Sequence, residues 1–345
     1  MTQELRQDPT NLDPGDATIN RKRRTSFVLA TLICLLLFSI LLSLGYGKGL
    51  GAVFNGLFAG TGEGFGLILR KIRIPRTVIA FLVGGSLGVC GVTLQSILRN
   101  PLAEPYTLGI AGGASFGIAL STIIGLQSFL GVFANPIMGF GGAMLSVAIV
   151  FALSRKRFFD PNSMVLFGIV VSLVFSSFVF FLFSLLDPDK MQTTLMWLMG
   201  DLASLDIAFV PLYIPMFLIP TSILFFFGKE LDILSLGREK AQYLGVDPPR
   251  LYKGLFLLSS LLAGLCVSAS GIIGFVGLIV PHILRSVLGA SHTLLLIASY
   301  VGGAFFLILS DVFSRYLLYP VELPVGVVTG ILGGIILLCL LVKRP

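Results

Sequence analysis

Ten stretches of this chain are long and apolar enough to cross a lipid bilayer, and that pattern constrains the fold more than any motif does. A spanning helix needs about 20 mainly apolar residues. Segments 27–46, 76–97, 106–126, 134–153, 163–186, 207–227, 251–270, 272–289, 293–310 and 324–342 qualify. The run 191–206 is apolar but short, and reads as a surface helix or a partial insertion. The nearly continuous stretch 251–289 is divided at Ser270-Gly271 on the strength of the glycine alone. The expected fold class is an all-α integral membrane protein, a polytopic bundle of about ten transmembrane helices. It forms a single domain over 27–345, preceded by a polar, disordered cytoplasmic tail at 1–26.

Composition supports this and removes other classes. Hydrophobic residues make up 55% of the chain and charged residues 12%, against about 25% charged in a typical soluble domain. A large soluble catalytic domain, a nucleic-acid binder and a disulfide scaffold are all excluded on that balance. Cys34, Cys90, Cys266 and Cys339 lie inside apolar stretches without metal-ligand spacing, and read as small packing residues. His282 and His292 are too few and too far apart for a metal site.

Charge sets the orientation. Arg21, Lys22, Arg23 and Arg24 flank the first span on its N-terminal side, which holds that end in the cytoplasm. The apolar run behind them exceeds the roughly 7–15 residues of a signal peptide, and no small-x-small cleavage site follows. Ten spans then return the C-terminus to the cytoplasm. Of the 24 Lys and Arg residues, this topology puts 17 inside and 7 outside, a bias of the right sign for a multi-span membrane protein. One cluster runs against it: Arg70, Lys71, Arg73 and Arg76 lie on the outer face, with Arg315 after the ninth span. Interfacial snorkelling accounts for such charge, and so does a docking patch for an acidic partner arriving from outside.

The spans lack a power source. Ion-coupled transporters keep titratable groups near the bilayer midplane, whereas Asp187, Asp189, Asp201, Asp206, Glu230, Asp232, Asp311 and Glu322 all fall at or beyond span ends. No Walker-type phosphate loop is present, and the run Gly60-Thr61-Gly62-Glu63-Gly64 has no strand before it. Such a protein is either a passive channel or is driven by a partner. Gly84/Gly88 and Gly113/Gly117 show the small-x-x-x-small spacing that lets helix backbones approach closely, and read as packing within the chain.

The longest internal cytoplasmic segment is 228–250. Within it Leu234–Leu244 has apolar residues near helical spacing and stops at Gly245 before Pro248-Pro249. It reads as a short amphipathic helix presented to a cytoplasmic partner.

Several motifs carry a resemblance. Arg73-Ile74-Pro75-Arg76-Thr77, Leu94-Gln95, Arg99-Asn100-Pro101-Leu102-Ala103-Glu104-Pro105 and Leu108-Gly109 occur in order. They are followed by Trp197-Leu198-Met199-Gly200, Gly237-Arg238-Glu239-Lys240-Ala241 with Leu244-Gly245, and Gly274-Phe275-Val276-Gly277-Leu278 with Pro281-His282. The series ends on Asp311 to Arg315 and Glu322-Leu323-Pro324-Val325-Gly326. Over about residues 50–345 the chain resembles the iron-siderophore and cobalamin permeases of ABC importers, the FecCD family.

The resemblance implies ten helices per subunit, two permease subunits (identical or sibling) around a central path, two ATPase subunits on the cytoplasmic side and an extracytoplasmic substrate-binding protein. It implies that Arg73, Arg76 and Arg315 dock the binding protein's glutamates, and that Gly237, Arg238, Glu239, Ala241, Leu244 and Gly245 form the coupling helix seated in the ATPase. Asn100 and Leu102, with Asn162 and Ser163, match constrictions of the cytoplasmic gate. The expectation is therefore a permease in the cell membrane that performs no covalent chemistry, needs no metal or cofactor of its own, binds no nucleic acid and leaves ATP to its partners. Its cargo would be a ferric siderophore, with cobalamin or haem as the alternatives; a secondary transporter, a channel or a membrane-embedded enzyme are the rivals from other classes.

Overall fold

The computed structural model describes residues 14–45, 65–203, 207–289 and 291–342. The glycine run Gly60–Gly64, Lys48, Asp206 and the first part of the expected tail lie outside the described residues. Among the described residues the chain is helical, with no strand beyond a single bridge between Leu318 and Val321.

Each apolar segment corresponds to a helix. Helix α1 (Pro14–Gly45) starts well before the first apolar run, so the polar segment read as a disordered tail is helical from Pro14 onward. Then come α2 (Ile74–Ile97), α3 (Ile110–Ile123), α4 (Ala134–Arg155), α5 (Pro161–Phe183) and the short α6 (Pro188–Leu198). The second half holds α7 (Val210–Phe226), α8 (Gly228–Ser235), α9 (Arg238–Tyr243), α10 (Pro248–Ser270), α11 (Val276–Leu288), α12 (His292–Tyr316) and α13 (Val325–Val342). The stretch 191–206 contributes to α6, a surface helix, and the break at Ser270-Gly271 stands, with Gly271 at φ +69°.

Among the described residues, seven helices are long and apolar enough to cross a membrane, and α7 with α8, bent by 48°, gives an eighth. The other two expected spans are short. Helices α3 and α11 have 14 and 13 residues, about 20 Å each at 1.5 Å per residue, against about 30 Å of hydrocarbon. Their missing length is irregular chain. Pro105–Leu108 forms a 3-10 turn ahead of α3, and 271–275 descends from the end of α10 to α11. Such backbone is tolerated at membrane depth only where protein surrounds it.

Protein does surround it, because α2 lies at the centre. The apolar window of α2 is 89% buried within this one chain, against 17% for α1 and 22% for α13. Its glycines explain the difference. A Cβ at Gly84 or Gly88 would overlap the backbone of Gly303 or Ser299 on α12, and one at Gly91 would overlap the Gly277 carbonyl on α11. On the other side, Gly113 and Gly117 of α3 meet Gly142 and Met138 of α4 in the same way. Both small-x-x-x-small pairs therefore serve packing within the chain, where close backbone approach supplies the van der Waals contact that lipid cannot. Helix α5, by contrast, exposes Phe178, Phe180 and Phe181.

Candidate functional site

The quoted motifs gather in three places, at the outer end, at mid-depth and on the inner face. At the outer end a π-helical turn, Leu69–Arg73, leads into α2 and brings Arg73 beside the end of α1, where its Nη1 donates to the Leu44 carbonyl at 2.8 Å. Arg76 and Arg315 are turned inward, 6% and 7% exposed. Arg76 Nε donates to Asp311 Oδ1 at 2.6 Å and Nη1 to Glu322 Oε2 at 2.8 Å. Arg315 Nη2 lies 3.0 Å from Asp311 Oδ2 and donates to Ser43 Oγ at 2.8 Å. Ser43 Oγ in turn contacts Thr77 Oγ1 at 2.7 Å. Helices α1, α2 and α12 and the loop before α13 are thus tied by two positive and two negative groups.

The outer basic patch read from the sequence is therefore smaller than its count of arginines. Two of the three arginines expected to dock a partner are paired with carboxylates inside the protein, while Arg73 is partly exposed beside the exposed Lys71. Sequence placed Asp311 at the end of a span and could not pair it with Arg76, 235 positions away.

Beside this cluster a cavity of about 300 Å³ is lined by Arg76, Trp197, Asp201 and Glu322 among others. Its floor is a backbone knot. Val325 N–H donates to the Gly200 carbonyl, Gly326 N–H to Met199, Ile272 N–H to Leu198 and Asp201 N–H to Ser270, at 2.9 to 3.2 Å. Gly200 sits at φ +94°, and a Cβ at Gly271 or Gly326 would strike the Trp197 or Met199 carbonyl. That is why the Trp197–Gly200 and Glu322–Gly326 motifs need glycine where they meet.

At mid-depth the α2–α3 connection meets the start of α11. Asn100 Oδ1 accepts from the Leu102 N–H at 2.9 Å, and the Asn100 carbonyl from the Ala103 N–H at 3.0 Å, a tight turn that leaves Leu102 44% exposed at the inner end. Two residues on, Glu104 Oε1 accepts the Phe275 N–H. Gln95 Nε2 donates to the carbonyls of Gly277 and Leu278 at 3.3 and 3.2 Å. Gly277 lies against Leu87 and Gly91, the middle of α2, so the Glu104 carboxyl is held well inside the bundle. A titratable carboxyl near the middle was not expected. It escaped hydropathy reading because Glu104 lies between two apolar segments rather than within one.

Asn162 and Ser163 open α5, where Asp160 caps the helix and accepts from Ser163 N–H and Oγ–H, each at 2.9 Å. The backbone donor foremost, these bonds hold Asp160 below the usual carboxylate range. Helix α5 reaches the α2–α3 connection further along, with Gly168 against the Thr107 carbonyl.

On the inner face the segment read as one amphipathic helix is two. Gly237, at φ +111°, ends the turn after α8 and starts α9, and Gly245, at φ +82°, ends it. Ala241 is the buried side of α9, while Arg238, Glu239 and Leu244 are exposed. Leu236, Tyr243 and Leu244 are 55%, 91% and 58% exposed, an apolar surface at the polar end of the bundle. Behind it Asp232 Oδ1 accepts the His292 N–H at 2.8 Å and pairs with His292 Nδ1 at 2.7 Å, fastening α8 to the start of α12.

A membrane-spanning helical bundle with a short helix and exposed apolar side chains on its inner side defines the class, a membrane permease. The chain belongs to the FecCD transport family, which matches residues 32–343. It is 35% identical over 280 residues to the hemin transport system permease protein of Yersinia pestis, covering 80% of this chain and 84% of that one. Identity is 36% over 276 residues to the Fe(3+) dicitrate transport system permease protein of Escherichia coli, covering 80% and 85%. It is 34% over 319 residues to the vitamin B12 import system permease protein of Vibrio vulnificus, covering 91% and 94%. Among solved structures, a metal-chelate type ABC transporter in an inward-facing conformation superposes with a TM-score of 0.81 at 30% identity, covering 92% of this chain and 99% of that one. The protein is thus a multi-pass ABC importer permease, of a kind that works with separate ATPase subunits and dimerises.

Proposed function

We propose that this permease imports a ferric siderophore or related iron chelate across the bacterial cytoplasmic membrane by alternating access, with cobalamin or haem as the competing cargoes. The observation that carries the importer mechanism is the inner-face surface of Leu236, Tyr243 and Leu244 around Gly237. Exposed apolar groups on a helix outside the bilayer mark a protein contact. Closure of an ATPase pair would push α9, and α8 with the Asp232–His292 pair would pass the displacement into α11 and α12. Iron as cargo is supported by the iron-citrate and hemin relatives, and by a chelate transporter as structural neighbour.

On the outer face, an extracytoplasmic binding protein would dock through carboxylates onto Arg73, with Arg76 and Arg315 supporting that edge from within. Charge-assisted Arg–carboxylate bonds orient a partner while remaining reversible. The gate would lie at Asn100 and Leu102, with Asn162 and Ser163 as a second constriction. The chain itself would need no cofactor or metal.

The test is uptake into proteoliposomes holding the permease, its ATPase and its binding protein, with ferric dicitrate, ferric hydroxamate, haemin and cobalamin offered in parallel. ATP-dependent accumulation of an iron chelate is expected. Accumulation without ATPase, or of cobalamin alone, would reject the mechanism or the cargo respectively.

A further inference from the structure

Helix α11 begins in the middle of the bundle, and its backbone starts with a deficit. The first N–H groups of any helix lack partners, and at mid-depth there is no water to supply them. Pro281 adds a second gap. Having no N–H, it cannot bond the Gly277 carbonyl four residues earlier. One neighbouring segment reaches both gaps. Glu104 Oε1 takes the Phe275 N–H, and Gln95 Nε2 reaches the Gly277 and Leu278 carbonyls. Buried polar groups satisfied in this way fix position closely, because an alternative placement strands them.

The residues that reach these gaps flank the turn at Asn100–Leu102. From Gln95 the chain passes through Asn100, whose N–H bonds the Gln95 carbonyl at 3.1 Å, and the turn ends four residues later on Glu104. The Glu104 carbonyl accepts from Thr107 N–H at 3.0 Å and from Thr107 Oγ1 at 2.7 Å. Such a short, internally bonded segment moves as a unit. At its other end α11 leads into His292, which Asp232 of α8 holds beside the coupling segment.

We propose that Glu104 is a positioning residue which, with Gln95, clamps the cytoplasmic mouth loop to the half-helix α11, so that loop and helix shift together when the ATPase closes. This rests on the reading of Asn100–Leu102 as the mouth.

The test uses the full-length chain assembled with its ATPase in lipid nanodiscs. Cys34 and Cys339, the exposed thiols, are replaced by Ser, and Leu102→Cys supplies the probe position. Labelling by a membrane-impermeant maleimide is timed without nucleotide and with ATP plus vanadate, and amide hydrogen exchange is followed over 272–282. The parent rate should differ by about tenfold between the two nucleotide states, as a two-state mouth requires. Glu104→Gln keeps an acceptor oxygen and should preserve that ratio. Glu104→Ala should collapse it to within about twofold and speed exchange over 272–282 by about tenfold, the loss of one buried hydrogen bond.

Gln95→Met, which keeps side-chain length and loses the donor, should shift both readouts the same way. If Glu104→Ala damages folding generally, exchange in α4 and α5 will rise too, and Gln95→Met then decides. A parent-like ratio in both Glu104→Ala and Gln95→Met overturns the clamp, as does a Glu104→Gln variant as impaired as Glu104→Ala. A parent that labels equally in both nucleotide states removes the mouth reading instead, whatever the exchange data show for α11.

Discussion

Asp311, fully buried on α12, bonds Arg76 of α2 at 2.6 Å and Arg315 of its own helix at 3.0 Å. One carboxylate therefore compensates two guanidinium groups that are each less than a tenth exposed. Removing one partner of a buried pair costs about 3–5 kcal/mol, because the survivor stays desolvated. Asp311→Ala should therefore lower the thermal midpoint of the detergent-solubilised permease sharply. Glu322→Gln, at a side chain 56% exposed, should lower it little.

The same geometry separates the arginines proposed to dock the binding protein. Arg73→Glu should weaken binding-protein association, measured by surface plasmon resonance on nanodiscs, and, losing one partly buried hydrogen bond to the Leu44 carbonyl, should lower the melting temperature only slightly. Arg76→Glu puts a third carboxylate beside Asp311 and Glu322, and should destabilise the permease before docking can be measured. Equal melting temperatures for the two variants would show that Arg76 is not in the buried network.

Glycine positions offer a graded test of packing. Gly91→Ala and Gly88→Ala place a Cβ against backbone carbonyls of α11 and α12, where overpacking costs about 1–3 kcal/mol. Gly254→Ala and Gly330→Ala meet nothing within 4 Å, and should leave thermal stability unchanged or slightly raised. A ranking in any other order would count against the α2-centred arrangement.

For coupling, Gly237 has open space around it but a φ of +111°. Gly237→Ala therefore acts through backbone strain alone, about 1–3 kcal/mol at such a conformation. It should reduce co-purification of the ATPase and stimulated ATP hydrolysis while α2 keeps its hydrogen-exchange protection. Leu244→Asp should give the same loss of ATPase binding with no change in melting temperature.

The sequence carried the fold class and the helix positions because bilayer insertion is decided locally. An apolar run of sufficient length has few alternatives to a helix in lipid, and all ten runs became helices. It carried the inner-face segment through Gly237, Gly245 and the prolines after them. It did not show that α3 and α11 are half-length, since hydropathy sums side chains and cannot register where the backbone stops being helical.

Pairing across the chain was the part that only tertiary structure decided. Arg73 and Arg76 sit three residues apart in one motif and read alike. Burial of Arg76 follows from Asp311, which α12 delivers from the far end of the sequence. Glu104 likewise reads as a loop carboxylate until the turn at Phe275 is folded against it. Electrostatic roles depend on distance and on exclusion of water, and both are set when the helices pack, long after each has been specified by its own residues.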